Sequence, residues 1–443
     1  VPDRHEFAAK PDLLHEDSMN RRVSSSVQGR IFRSVRTAFF VFLTVSIFVP
    51  TAAGQAVPAA PGIRARSAIL LDFETGTVLY EKDADAGIPP ASLAKLVTIY
   101  ITSALLEEGR LSADTRVEIS RNAWAATMPG SSLMFLEPGQ RVTVRELLMG
   151  LSVVSGNDAA VALAEHIAGS VEAFARLMNR TMANLGFETL RFVDASGLDG
   201  RSSVTAREFA EFCRLYIARF PENLEKLHSV REMSYPLPEN MPAGRSSSTP
   251  TIHQYNRNML LWDYADVDGL KTGFVDESGY NFAVTAKRGE MRLVLVTLGG
   301  PGRNTQEGSR IRAEDAGRLL SYGFDSYGYY TPVLPEFRTV RIWKGAVREV
   351  TPTAGVPARI VVPRAWLTGI SRVTVQNEEI IAPVSAGTVI GTVSYRYAGQ
   401  ELLKVPLTVP GEVPEGNFFV RLWHSIRLFF RRIGGRVSET VEY

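Results

Sequence analysis

Residues 68–109 read AILLDFETGTVLYEKDADAGIPPASLAKLVTIYITSALLEEG, and the change of period inside this stretch decides the fold. AILLDF and TVLYEK are short apolar-rich runs joined by Glu74-Thr75-Gly76, the pattern of a β-hairpin. Pro89-Pro90 then opens a helical run, ASLAKLVTIYITSALLEEG, that stops at Gly109. Further along, VRELLMGLSVVS and DAAVALAEHIAG read as helices on either side of residue 155. NFAVTA-KRGE-MRLVLVTLGG reads as a second hairpin, and RAEDAGRLLSYGF as a helix after it. Strands at both ends with helices between them predict a mixed α/β domain over residues 64–330, with an antiparallel sheet and a helical insert.

The character changes around Thr331-Pro332. Residues 333–410 hold short β-branched runs (RTVRIWKG, ARIVVP, SRVTVQ, GTVIGTVSYRY) broken by Gly and Pro, which predicts a small all-β module without catalytic residues. A last helix is expected over 416–436. At about 100° per residue, Phe418, Phe419, Leu422, Trp423, Ile426, Phe429, Phe430 and Ile433 fall within an arc of roughly 140°. Arg421, His424, Arg427, Arg431 and Arg432 take the other side, with Val420 and Leu428 as exceptions. A basic face opposite a Phe/Trp-rich face is the pattern of a helix lying in a membrane interface; the alternative is a helix docked on the protein's own core.

At the other end, Arg21, Arg22, Arg30, Arg33 and Arg36 precede the uncharged stretch Ala38–Val49, and Pro50 and TAAGQA follow it. This is the order of a secretory signal peptide, with a cut expected after Ala56, and the apolar stretch is short for a membrane span. Residues 1–18, ahead of Met19, read as an alternative-start extension or a misplaced start.

Composition narrows the function classes. The chain has 443 residues, 45% hydrophobic and 22% charged, with a formal net charge of +2, which gives no footprint for nucleic acid. Its single cysteine, Cys213, excludes an internal disulfide and is expected to be buried and inert. Six scattered histidines offer no metal-ligand cluster, and no cofactor is expected.

Three short motifs carry the chemistry. In Ser92-Leu-Ala-Lys95, a spacing of three at a helix start puts both side chains on one face. A serine hydroxyl needs a base to become a nucleophile, and lysine serves as one only when burial or a nearby positive charge lowers its pKa. In Ser155-Gly156-Asn157, the serine can pass a proton and the amide can hold Lys95, although the tripeptide also reads as a helix stop with Asn157 capping the next helix. In Lys271-Thr272-Gly273, ahead of NFAVTA, a strand-borne lysine adds positive charge expected to lower the Lys95 pKa. Thr272 is placed to bind a carboxylate, and Gly273 lets a ligand backbone approach. The ordered set S-x-x-K, S-x-N, K-T-G is shared by class A β-lactamases and penicillin-binding proteins.

From about Arg64 to the C-terminus the chain resembles the low-molecular-mass penicillin-binding proteins that act as serine D-Ala-D-Ala carboxypeptidases. The resemblance also rests on VVSGNDAAVALAEHIAG, ASGLDGRSSVTAREFA and RNMLLWDYADVDGLKTGFVDESGYNFAVTA. It implies a β-lactamase/transpeptidase-like fold followed by a β-rich stalk and a membrane-surface helix. It implies Ser92 as nucleophile, Lys95 as its base, Ser155 and Asn157 in proton relay and substrate orientation, and Lys271 as electrostatic support. Backbone N–H groups of Ser92 and Phe274 would form the oxyanion hole. Arg312, with Arg257 as the weaker candidate, would meet the substrate carboxylate, and Asp199 would brace the site wall. The implied partners are peptidoglycan stem peptides, β-lactams as covalent inhibitors and the membrane surface; the implied place is the periplasmic face of the cytoplasmic membrane. A D,D-endopeptidase, a β-lactamase and a non-catalytic wall-binding scaffold are the alternatives. The β-stalk and S-G-N in place of S-D-N weigh against the β-lactamase.

Overall fold

The computed structural model describes residues 56–241, 244 and 250–434. The expected signal peptide lies outside the described residues apart from Ala56, as do residues 435–436 of the expected terminal helix and the side chains of Arg432 and Ile433.

In chain order the first part contains β1 (Ser67–Asp72), β2 (Val78–Lys82), α1 (Lys95–Glu107), β3 (Arg116–Glu118), β4 (Arg141–Thr143), α2 (Val144–Met149), α3 (Asn157–Ala168), α4 (Val171–Asn184) and α5 (Ala206–Arg219). It continues through β5 (Glu232–Tyr235), β6 (Ile252–Tyr255), the single turn α6 (Leu260–Asp263), β7 (Val267–Val275), β8 (Gly279–Arg288), β9 (Met291–Gly300) and α7 (Thr305–Ser326). The two expected hairpins, β1–β2 and β8–β9, meet in one antiparallel sheet of order β2-β1-β9-β8-β7, joined where Ser67 pairs with Leu298 and Asp72 with Leu293.

β1 is buried along its whole length because both faces of the sheet are covered. Successive side chains of a strand point to opposite faces. Accordingly Ile69, Leu71, Val294 and Val296 enter the core shared with the helical layer, whereas Ala68, Leu70, Leu293 and Leu295 pack in the core that holds Leu319, Leu320 and Phe324 of α7. In the helical layer, Thr143 and Glu146 form a reciprocal capping box that starts α2. The run expected as one helix through Ser155 widens to a π-helix over Gly150–Val154 and stops at Ser155 in the left-handed region, φ 63°.

The second part contains β10 (Tyr327–Tyr330), β11 (Val340–Trp343), β12 (Glu349–Val350), β13 (Ile360–Pro363), β14 (Ser371–Gln376), β15 (Glu379–Ile381), β16 (Val389–Tyr397) and β17 (Gln400–Thr408). Three-stranded sheets β12-β11-β15 and β14-β16-β17 each pack beside a small apolar core. β10 lies ahead of the expected boundary at 331–332, yet it pairs with β13 beyond it, Tyr327 with Pro363 and Tyr330 with Ile360. Tyr329 Oη also donates to Asp72 Oδ2 at 2.7 Å, and Arg359 stacks 3.8 Å over the Tyr329 ring while pairing with Glu74 and Glu290.

Helix α8 (Phe418–Gly434) docks on this β module by its polar side. His424 Nδ1 accepts the Lys344 N–H at 2.8 Å, and Arg431 pairs with Glu379 at 2.7 Å. Val420 and Leu428, the exceptions to the amphipathic pattern, lie on the same half-buried side as His424. Phe418, Phe419, Leu422, Trp423, Ile426, Phe429 and Phe430 are left exposed, from 42% to 77%.

Candidate active site

Ser92 and Lys95 sit at the seam between two kinds of helix. The expected single helix begins instead as a 3₁₀ turn, Ala91–Ala94, entered through Pro90 and Ala91 at φ 51°, and becomes α-helical only at Lys95. Three residues per turn bring positions i and i+3 into register along the axis, and Lys95 Nζ lies 2.9 Å from Ser92 Oγ. The same ammonium donates to Asn157 Oδ1 at 2.6 Å and to the Ser196 carbonyl at 2.8 Å. Lys95 is wholly buried, and burial draws its pKa down to about 7 against the opposing pull of Asp194 and Asp158. A buried amine that titrates near neutrality exists in part as the free base, with its lone pair beside a hydroxyl.

That result corrects the expected tuning. Burial, rather than the charge of Lys271, accounts for the Lys95 shift. Lys271 is itself buried and pushed well below the ordinary lysine range, first by burial and then by the positive charges of Lys95, Arg312 and Arg257. The Lys95 charge disfavours ionisation of Lys271, since like charges in a poorly solvated site oppose one another.

The second motif departs from its bland reading. Gly156, not Asn157, occupies the N-cap of α3, and Asn157 is a buried first-turn residue whose side chain turns to Lys95. Ser155 is buried beside it, fixed by the left-handed turn that ends the preceding helix. Asp158, which the sequence reading passed over, is buried and accepts the backbone N–H groups of Met134 (2.9 Å), Leu136 (3.0 Å) and Ala159 (2.9 Å). It ties the 134–136 segment to the start of α3.

The wall opposite is a turn organised by Asp194. Its Oδ1 accepts the Ser196 N–H, the Ser196 hydroxyl and the Gly197 N–H, each at 2.6 Å, and its Oδ2 accepts the Asp199 N–H at 3.0 Å. This Asx turn presents the Ser196 carbonyl to Lys95. Gly197 has φ 72°, and a Cβ there would stand 1.9 Å from the Ala91 carbonyl oxygen. Asp199, expected to brace this wall, instead pairs its carboxylate with Arg201, which holds its pKa at about 2. The brace is Asp194, and its signal, an Asp two residues ahead of Ser-Gly, was legible in DASG.

The third motif lies on the edge strand β7. Lys271, Thr272 and Gly273 are buried, and a Cβ on Gly273 would come within 3.0 Å of Pro90 O and Ser92 N, so the strand runs against the Ser92 turn. Lys271 Nζ donates to the Thr272 carbonyl at 2.9 Å. Phe274 is 45% exposed, its ring centroid 4.5 Å from that of Tyr280. Arg312, from α7, is buried with Nη1 3.4 Å from the Gly273 carbonyl and with its guanidinium 5.8 Å and 5.7 Å from the Tyr280 and Phe282 ring centroids. Burial lowers its pKa to about 10, so it stays a cation at neutral pH. Arg257 is exposed; its charge acts on both Lys271 and Arg312.

Two further positioning residues carry no sequence signal. His228 is buried and held neutral, its pKa pushed down to about 3; Nε2 meets Tyr216 Oη at 2.7 Å and Nδ1 lies 3.2 Å from the Leu270 carbonyl, next to Lys271. Asn281 donates to the Pro89 carbonyl at 2.9 Å and accepts the Gly299 N–H at 2.8 Å, pinning the approach to Ser92 onto the sheet. Cys213 is buried among apolar side chains with its thiol pKa raised.

Comparison with known proteins agrees with this geometry. The family described as D-alanyl-D-alanine carboxypeptidase matches residues 54–302, and the C-terminal domain of penicillin-binding protein 5 matches residues 335–415. D-alanyl-D-alanine carboxypeptidase DacC of Escherichia coli (strain K12) is 36% identical over 402 residues, covering 89% of this chain and 94% of the relative. Penicillin binding protein 5 from Haemophilus influenzae superposes with a TM-score of 0.66 at 31% identity, over 81% of this chain and 99% of the other. The D-alanyl-D-alanine carboxypeptidase DacD from Francisella tularensis gives a TM-score of 0.69 at 27% identity, over 81% and 96%. Through the ordered motifs, the sheet that joins them and these matches, the chain belongs to the D-alanyl-D-alanine carboxypeptidase family of low-molecular-mass penicillin-binding proteins.

Proposed function

We propose that the protein removes the terminal D-alanine from peptidoglycan stem pentapeptides through an acyl-enzyme on Ser92. The observation that carries the reading is the wholly buried Lys95 amine, 2.9 Å from Ser92 Oγ and with a pKa near 7. The neutral amine takes the Ser92 proton as the oxygen attacks the carbonyl of the penultimate D-Ala. Backbone N–H groups of Ser92 and Phe274 stabilise the tetrahedral oxyanion, a contribution of about 10²–10³ in rate for one such donor elsewhere. Lys271, Thr272 and Arg312 take the terminal carboxylate, with Arg257 adding longer-range charge. Asn157 orients Lys95 and the substrate amide, and Ser155 relays a proton to the leaving D-Ala nitrogen. Water then resolves the ester to the tetrapeptide. A β-lactam presents a comparable strained amide and carboxylate, acylates Ser92 and leaves slowly.

Residues 64–330 are the catalytic domain in this reading, 333–410 a stalk, and 416–436 a helix that lies on the outer face of the cytoplasmic membrane after export. No described helix is long and apolar enough to cross a membrane. The exposed Phe and Trp side of α8 supports lying in the interface. The test is D-alanine release from diacetyl-Lys-D-Ala-D-Ala with and without penicillin. One penicillin-sensitive D-Ala per peptide is expected, and Ser92→Ala should lower the rate by about 10⁴-fold or more, as loss of a catalytic serine does elsewhere. Wild-type release by Ser92→Ala would overturn the assignment.

A further inference from the structure

The way α8 meets the stalk creates a basic cluster that the catalytic reading leaves unused. The tip of the β11–β12 hairpin is bonded to the start of the helix: Gly416 N–H donates to the Lys344 carbonyl at 2.8 Å, Ala346 N–H to the Pro414 carbonyl at 2.9 Å, and Lys344 N–H to His424. This docking sets the His424 ring 5.1 Å from that of Trp343, under Arg341, and burial together with the charges of Arg341, Arg427 and Arg348 holds the His424 pKa below its ordinary value. Glu379 and Glu415 are the carboxylates bonded to the helix, and both are engaged, by Arg431 and by Arg421. Arg341, Arg348 and Arg427 are exposed and, among the described residues, have no carboxylate within ion-pair distance; Arg341 lies 4.2 Å over the Trp343 ring. Val347, between them at the hairpin tip, is 49% exposed.

We propose that the membrane-binding surface is composite, with Arg341 and Arg348 of the stalk joining Arg427 of α8 to bind the phosphate headgroups of anionic lipids beside the apolar face of the helix. The proposal rests on α8 lying in the interface. A helix about 10 Å across that sinks about 5–10 Å into the interface leaves its polar side, and whatever is packed on that side, at headgroup level. Guanidinium groups there meet phosphate in bidentate geometry. Three clustered cations without carboxylate partners repel one another in the free protein, and an anionic surface relieves that repulsion.

The test is vesicle co-sedimentation of the full chain at low ionic strength, with pure phosphatidylcholine and with a 7:3 mixture of phosphatidylcholine and phosphatidylglycerol. A basic residue near an anionic surface contributes about 5-fold in partitioning, so the wild type should favour the anionic vesicles by about 100-fold and an Arg341→Ser/Arg348→Ser variant by about 5-fold. Binding to phosphatidylcholine and D-alanine release should be unchanged in that variant, and Arg341→Lys/Arg348→Lys should keep most of the preference. Equal preference in the wild type and the serine variant overturns the composite surface while leaving the helix reading intact. If a chain truncated before Phe418 binds as well as the wild type, or the wild type binds neither vesicle, the helix reading fails and this proposal with it.

Discussion

The cleft around Ser92 and the terminal helix α8 both hold side chains in the solvent they least favour, and in opposite senses. In the cleft, Lys95, Lys271 and Arg312 are taken out of water and, among the described residues, no carboxylate is bonded to any of the three amine or guanidinium groups; carbonyl, amide and hydroxyl oxygens meet them instead. On α8, seven large apolar side chains are left in water while His424 and Arg431 of the opposite side bond the stalk. Both arrangements are unfavourable for folding by themselves, and under the proposed function each is relieved by its ligand: a carboxylate-bearing peptide in one case, a lipid surface in the other. They differ in how they are built. The cleft is converged on by five distant segments, and a displacement in any of them reaches the others. The helix is a local pattern held by a few polar contacts, so it can be removed with little effect on the rest.

The sharpest way to break this contrast is a substitution remote in sequence from the nucleophile. Gly197→Ala sets a Cβ against the Ala91 carbonyl at a backbone angle that side chains disfavour. It should reduce penicillin acylation by about 10²-fold through displacement of Ser92, with about 1–3 kcal/mol of stability lost. Acylation within twofold of wild type would show that the Ser92 turn is set locally. Next is pH. Lys95 must be neutral to accept the Ser92 proton and its pKa is lowered to about 7, so kcat/KM should fall about tenfold per unit below that value and level off above it. A profile flat from pH 5 to 8 would remove Lys95 as the base. The smallest effect is expected at the other end of the comparison. Truncation before Phe418 should move the protein from membranes to the soluble fraction while D-alanine release from a soluble peptide stays within about twofold, because His424 and Arg431 tie the helix to the stalk. A large loss of activity would mean that the helix supports the cleft after all.

Sequence by itself determined the elements whose signal is local. The two hairpins, the strand that carries Lys271, the start of α1 near Pro90 and the amphipathic face of α8 all follow from period, turn residues and capping, which act within one short stretch of chain. The order of the three motifs named the chemistry, since few other uses require that set together. Which groups meet was left to long-range packing. Nothing near Lys95 in sequence says that burial rather than Lys271 sets its pKa, because desolvation is a property of the closed core. Asp199 looked like the brace, but the turn geometry gave that place to Asp194; His228 and Asn281 act on β7 and Pro89 from segments that no spacing connects to them. The boundary near residue 331 was drawn from composition, whereas β10 pairs across it with β13 through backbone hydrogen bonds, which are blind to composition. Val420 and Leu428, the exceptions to the pattern of α8, are half-buried on the side that His424 bonds to the stalk. Local physics writes the elements, and long-range packing decides their partners and their solvent.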